Sequence, residues 1–350
     1  MELSYFKGKK VLVTGHTGFK GSWLSRILML AGAEVSGYSL APAEDQPLFG
    51  MLGLGRDMNS VSGDIRDFEK LHAFVREVKP DVVLHLAAQP IVRESYAIPR
   101  YTYEVNVMGT VNLLDSLRLE GFSGSLVNVT TDKVYLNREV MKGFVEDDPL
   151  DGYDPYSNSK SCSELVTHSY RSSFFNELGA AVSTARAGNV IGGGDMAKDR
   201  LIPDCVRASM RGEPVIVRNP DSVRPFQHVL ESLSAYLLIA MKQAEDSSFA
   251  GAYNIGPDLC DAVTVKTVTD MFVSAWGDGA EVVVRSDGGP HEAKLLMLDC
   301  TKIKDTLGWS GRWNVRKAVE KTAEWSKAVF EGGQDAGEYT DSQIREYFDV

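Results

Sequence analysis

Lys10-Val11-Leu12-Val13-Thr14 runs straight into Gly15-His16-Thr17-Gly18-Phe19-Lys20-Gly21. The first run reads as a short apolar strand, and the stretch from Ser22 to Ala31 reads as a helix. Between them lies the spacing G-x-x-G-x-x-G, which constrains the fold more than any other feature of the chain. Glycines allow the tight turn and let backbone N–H groups approach a diphosphate at the helix N-terminus. A glycine motif that follows a strand and opens a helix points to a dinucleotide site, here Gly15, Thr17, Gly18 and Phe19.

The alternation of strand and helix continues downstream. Strands are expected at Glu34 to Tyr38, about Ser60 to Ser62, Val82 onward, Ser125 to Val129 and Ala181 to Ala185. Helical stretches are expected from Arg100 to Glu120 and from Tyr156 to Asn176. This is the α/β pattern of a doubly wound, Rossmann-type parallel sheet, with ligands beyond the carboxyl ends of the strands. Ala87 and Ala88 follow one such end, and small residues there let a cofactor lie close. Asp64 and Ile65 follow another. Asp64 could accept from an adenine amino group or cap a helix, although Asp67 is the better cap. After the second strand the chain reads Tyr38-Ser39-Leu40-Ala41, with no acid for the adenosine ribose. That position therefore does not decide between NAD and NADP, and it predicts a looser hold on adenosine.

Pro155-Tyr156-Ser157-Asn158-Ser159-Lys160 carries the chemistry. Pro155 suits a helix's first turn, and a spacing of four puts Tyr156 and Lys160 on one face. A fixed ammonium beside a phenol pulls it from ~10 towards neutrality, which makes a base.

Of the 350 residues, 43% are hydrophobic, and the formal charge is 37 − 48 = −11 with no basic cluster. Nucleic acid and anionic membranes are therefore poor partners. Cys162, Cys205, Cys260 and Cys300 are far apart, as in a chain of reduced thiols. No run approaches ~18 apolar residues, so a cytoplasmic protein without a membrane span is expected. The six histidines are scattered, and no metal site is expected.

With Thr131-Asp132-Lys133 added, the glycine motif and Tyr156-x-x-x-Lys160 resemble the extended short-chain dehydrogenase/reductases. Within them the chain resembles the nucleotide-sugar 4,6-dehydratases, most of all those acting on CDP-glucose. Gly15 to Leu24, Gly152 to Lys160, Arg186 to Asp195 and Arg224 to Val229 carry that likeness, which extends from about Phe6 to about Trp325. The resemblance implies NAD, oxidation of the sugar at C4, loss of water across C5 and C6, and reduction at C6. Such chemistry serves deoxysugar biosynthesis, including that of lipopolysaccharide. It further implies Tyr156 as base, with Lys160 lowering its pKa and holding the nicotinamide ribose. Thr131 would hydrogen-bond the 4-oxygen, and Asp132 would donate the proton that leaves with water. Lys133 stands where dTDP-glucose dehydratases carry a glutamate base; it would act as C5 base or enolate stabiliser. Asn189 and Arg224 would hold the nucleotide-sugar diphosphate, with Arg200 and Arg218 as weaker candidates, and His291 is a candidate nucleotide contact. A homodimer through the two long helical stretches is also implied. An epimerase or reductase is the alternative, against which Asp132 argues; a silent binding protein is harder to reconcile with an intact triad.

Composition turns richer in glycine and proline after Gly188. The expected organisation is a cofactor domain at 1–188 plus about 224–256, and a smaller mixed α/β substrate lobe at about 189–223 plus 257–330. A polar tail, 331–350, is expected to be partly mobile.

Overall fold

The computed structural model describes residues 2–138, 142–277, 281–285 and 295–349. At its centre stand β1 (Lys10–Thr14), β2 (Glu34–Ser39), β3 (Asn59–Ser62), β4 (Val82–His85), β5 (Ser125–Val129), β6 (Ala181–Ala187) and β7 (Ala252–Ile255). Their order is β7-β6-β5-β4-β1-β2-β3, and every neighbouring pair is parallel. The order reverses between β1 and β4, where Thr14 lies beside His85. A crevice opens beyond the carboxyl ends at such a point. Strands β4, β5 and β6 are buried throughout, so their apolar runs lack the alternation of a half-exposed strand.

The principal helices are α1 (Phe19–Leu30), α2 (Phe68–Val78), α3 (Gly109–Leu119), α4 (Pro155–Tyr170), α5 (Leu201–Met210), α6 (Val229–Glu245), α7 (Val265–Trp276), α8 (Val315–Ser326) and α9 (Ala336–Phe348). Helix α1 starts three residues earlier than expected, because extended Gly18 serves as its N-cap. Phe19 and Lys20 thus belong to its first turn. The stretch expected over 100–120 is a run from Pro99 to Leu119 with a π turn at Glu104–Met108.

Apart from the sheet, α5, α7 and α8 enclose a second core that includes Ile202, Val206, Phe226, Phe272 and Val319. The chain after Arg200 is not the loose segment its proline suggested. Pro203 sits in the first turn of α5, where its missing N–H has no intrahelical partner to lose.

The C-terminal expectation was wrong. Residues 336–348 form α9, which buries Ile344, Tyr347 and Phe348 at helical spacing. Trp325 Nε1 donates to Thr340 Oγ1 at 3.0 Å, and Tyr347 Oη donates to Glu231 Oε2 at 2.8 Å. Arg26 on α1 makes two 2.6 Å bonds to Asp341. A polar average hid an amphipathic helix whose charges are used in docking.

Candidate active site

Beyond β1 the backbone turns through Gly15, whose φ of +75° disfavours a side chain. A Cβ there would also lie 2.8 Å from the Ala87 nitrogen. Thr14 Oγ1 accepts from the Ala87 N–H at 3.2 Å, which fixes the end of β4 against this turn. Gly18 faces open space apart from the Gly15 carbonyl, and the first turn of α1 has neither a side-chain cap nor an acid. Its leading N–H groups and dipole are left for an anion. Thr17 is tied to Ser39 and the Leu40 carbonyl, at 2.8 and 3.0 Å. This cradle fits a dinucleotide diphosphate.

Asp154 caps α4 by accepting from the Ser157 N–H at 3.0 Å, and Pro155 opens the helix. Tyr156 and Lys160 then enter the crevice one turn apart, both buried. Lys160 Nζ donates to the Val129 carbonyl at 3.0 Å, so its ammonium is anchored to the end of β5. Burial brings Lys160 down to about 8, opposed by Glu164. Burial pushes the Tyr156 phenol up to about 12, while its hydrogen bond with Thr131 and the charge of Arg200 pull it back. The drop towards neutrality expected from Lys160 is therefore absent in the protein alone. The phenol is buried first, and the lysine is turned to a carbonyl.

Thr131 follows β5 and caps the short turn Asp132–Val134. Its Oγ1 donates to Asp132 Oδ1 at 3.0 Å. Asp132 Oδ2 is buried and lacks a partner among the described residues. Burial raises the Asp132 carboxyl, against the pull of Lys133, Thr131, Arg224 and Lys20. Burial thus favours the neutral acid, and a carboxyl with one oxygen bonded to Thr131 and the other uncommitted is suited to donating a proton.

One cavity of about 570 Å³ gathers these groups. Gly15, Thr17, Gly18, Phe19, Asp64, Ile65, Ala87 and Ala88 line it on one side; Thr131, Asp132, Lys133, Tyr156 and Lys160 line its middle. Asn189, Arg200, Arg218 and Arg224 line the rest. His291 lies outside the described residues. A model of the GDP-mannose 4,6 dehydratase family matches residues 12–322. The chain belongs to that family. It is similar to the CDP-glucose 4,6-dehydratase of Salmonella typhimurium, with 48% identity over 338 residues that cover 95% of this chain and 94% of that one. Among solved structures, MoeE5 in complex with UDP-glucose and NAD matches with a TM-score of 0.77 at 25% identity, covering 91% of this chain and 99% of that one. The dTDP-glucose 4,6-dehydratase of Bacillus anthracis, in complex with NAD, has the same fold, with a TM-score of 0.77 at 23% identity over 92% of this chain and 97% of that one.

Within this dehydratase family frame, Asp64, Arg200 and Arg224 have protein partners that their sequence reading did not include. Asp64 is held by Arg66, which donates to both carboxylate oxygens, so an adenine amino group would have to share them. That guanidinium holds Asp64 below the usual carboxylate range. Asp67 caps α2, as expected. Arg200 donates to buried Asp195 at 3.2 Å, and Arg224 donates to the Val223 carbonyl at 3.0 Å while its charge acts on Asp132. Gly188 permits this approach, since a Cβ there would lie 2.8 Å from Pro225 Cγ and 3.3 Å from Asp132 Oδ2.

Lys20 was missed. From the first turn of α1 it lines the same cavity, with Nζ 3.3 Å from Tyr236 Oη. Burial, reinforced by Arg200 and Lys160, brings it down to about 7. A lysine at the positive end of a helix was the available signal, and starting the helix at Ser22 concealed it.

Proposed function

We propose that this chain catalyses the NAD-dependent dehydration of CDP-D-glucose to CDP-4-keto-6-deoxy-D-glucose. Asp132 carries the reading: a buried carboxyl with raised pKa, bonded to Thr131 in the cavity of Tyr156, is what elimination of the 6-hydroxyl needs and 4-epimerisation does not. The 48% identity to the Salmonella enzyme supports both the chemistry and the nucleotide.

Gly15, Thr17, Gly18 and Phe19 would hold the NAD diphosphate, Asp64 and Ile65 the adenine end, and Ala87 and Ala88 would give it room beside the strand ends. Tyr156 and Lys160 would flank the nicotinamide ribose. When bound, NAD supplies a cationic nicotinamide that accepts an electron pair from C4 and returns it at C6. Tyr156 takes the proton of the 4-hydroxyl, and Thr131 hydrogen-bonds the same oxygen. The resulting ketone acidifies the C5 proton, and Lys133 takes it or stabilises the enolate. Asp132 protonates the C6 oxygen as it leaves. Arg224, with Arg200, Arg218 and Asn189, holds the sugar-nucleotide diphosphate through charge-assisted bonds.

Exposed Met108, Leu119, Leu165 and Phe174 on the two long helical runs support a homodimer through that face. A cytoplasmic location is consistent with four unpaired cysteines; no helix among the described residues is long and apolar enough to cross a membrane.

The test is incubation with NAD and CDP-glucose, dTDP-glucose, UDP-glucose or GDP-mannose in deuterated water, followed by NMR. A 6-methyl group with deuterium at C5, from CDP-glucose alone, is expected. A methyl group from another nucleotide would discard the cytosine assignment, and C4 inversion without a methyl group would discard the dehydratase.

A further inference from the structure

Five carboxylates line the cavity. Asp132 serves the reaction, Asp64 is held by Arg66, and Asp195 is held by Arg200. Asp199 and Asp204 have no part in the chemistry, and with Ile216 and Arg218 they belong to the wall that the second core supports. Ile216 is the middle residue of the short strand Val215–Val217. Val215 and Val217 are buried in that core, and the alternation of a strand turns Ile216 the other way. Its side chain is left 46% exposed on the cavity wall. An open apolar side chain with charged groups at its rim is a surface for the flat face of a ring.

Asp199 is fixed at this wall from two sides. Arg207 on α5 donates to the carbonyls of Met196 and Ala197, at 2.6 and 3.3 Å, which ties down the loop that ends in Asp199. Arg218, a diphosphate ligand in the proposed reaction, also donates through Nη1 to Asp199 Oδ1 at 3.2 Å. Asp204 has both oxygens engaged, Oδ1 by Arg207 and Oδ2 at 3.8 Å from Arg218. Asp199 Oδ2, by contrast, makes no hydrogen bond among the described residues. A carboxylate paired with a guanidinium accepts hydrogen bonds and does not donate them. Cytosine carries at C4 an amino group, which donates; uracil and thymine carry an oxygen there, which accepts. Asp199 is thus matched to cytosine, whereas the other pyrimidines would set two acceptor oxygens against each other. We propose that Asp199, held by Arg218 beside the Ile216 face, accepts from the 4-amino group of cytosine and selects CDP-glucose over UDP-glucose and dTDP-glucose. The assignment rests on the dehydratase reading, in which the sugar at Tyr156 and Asp132 and the diphosphate at Arg224 direct the base to this wall.

Calorimetric binding of CDP, UDP and dTDP to the NAD-loaded protein tests this apart from the chemistry. Wild-type protein should bind CDP more tightly than UDP or dTDP. Asp199 has a φ of +59°, a left-handed conformation that asparagine also adopts, so Asp199→Asn suits the fold. Its amide can donate to the uracil 4-oxygen as well as accept from the cytosine amino group. The preference for CDP over UDP should therefore narrow by about 10–10²-fold, mainly through tighter binding of UDP. Asp199→Gly accepts the same backbone and has no side chain to read the base, so it should narrow the preference too, mainly through weaker binding of CDP. Variants that keep the wild-type preference, or a wild type that shows none, would overturn the assignment. Wild-type protein that binds CDP selectively and forms no 6-methyl sugar would overturn the dehydratase reading while supporting Asp199 as the contact to the base.

Discussion

Arg186 Nη2 lies 2.9 Å from Glu164 Oε2, with both side chains buried behind the crevice. Glu164 stands one turn beyond Lys160 on α4 and accepts from Thr130 and from Thr184, the latter at 2.7 Å. Thr130 follows Val129, whose carbonyl holds the Lys160 ammonium. Arg186 Nη1 reaches Tyr135 Oη and the Glu146 carbonyl, each at 2.8 Å. The pair thus supports the strand end that anchors the lysine.

Removing one member of this pair should be costly. Arg186→Met leaves a buried carboxylate without its cation and should destabilise the protein by about 3–5 kcal/mol. Replacing Glu164 by Met as well should recover part of that loss. Denaturant unfolding of the single and double variants checks this; a double variant no better than the single would show that the ion pair is not the cause.

Asp132→Asn should separate the two halves of the reaction. The amide cannot deliver a proton to the leaving oxygen, so 6-methyl formation should fall by about 10²–10⁴-fold. Oxidation at C4 needs Tyr156 and not Asp132, so the absorbance of reduced nicotinamide should build up on adding substrate. Rapid-scan spectroscopy reads both quantities together.

Lys20 should leave a signature in the pH dependence of stability. Its folded pKa of about 7 lies below the unfolded value of 10.5, so between these pH values the unfolded chain binds more protons. Stability gained from this residue therefore rises with pH from 7 towards 10.5, and the penalty of its buried charge is fully present below pH 7. A shift of that size corresponds to at most about 5 kcal/mol. Lys20→Met should be more stable than wild type at pH 6, with the difference shrinking by pH 9. Thermal melts of both proteins across this range decide it.

The last helix should be part of the folded core. Glu231 accepts from Tyr347 Oη at 2.8 Å and from the backbone of Arg312 and Trp313, at 3.0 and 2.6 Å. Burial nonetheless pushes its carboxyl up to about 7. Tyr347→Phe removes one donor and should cost about 1–3 kcal/mol. Truncation after Gly333 should expose Trp325 and shift its fluorescence to the red, an effect that loss of a mobile tail would not produce.

The strand–helix alternation of the doubly wound sheet followed from local signals in the chain. Apolar runs of strand length, glycines at one turn and the Pro155–Lys160 run each act over a few residues, so the crevice and most of its lining were legible. Tyr156 and Lys160 share a helix face because of their spacing alone. Protonation was not legible, because it depends on burial and on charges brought from afar: Arg200 and Arg224 reach Tyr156 and Asp132 only once the lobe is folded. Lys20 became a crevice residue only because Gly18, and not a later residue, caps α1. The polar C-terminal stretch became a core helix because Arg26, Glu231 and Trp325 supply partners that no local window contains. Local sequence determined the backbone path and the reactive groups, since propensity and spacing act along the chain. Tertiary structure alone decided which of those groups hold a proton, since desolvation and Coulomb energies depend on distance in space.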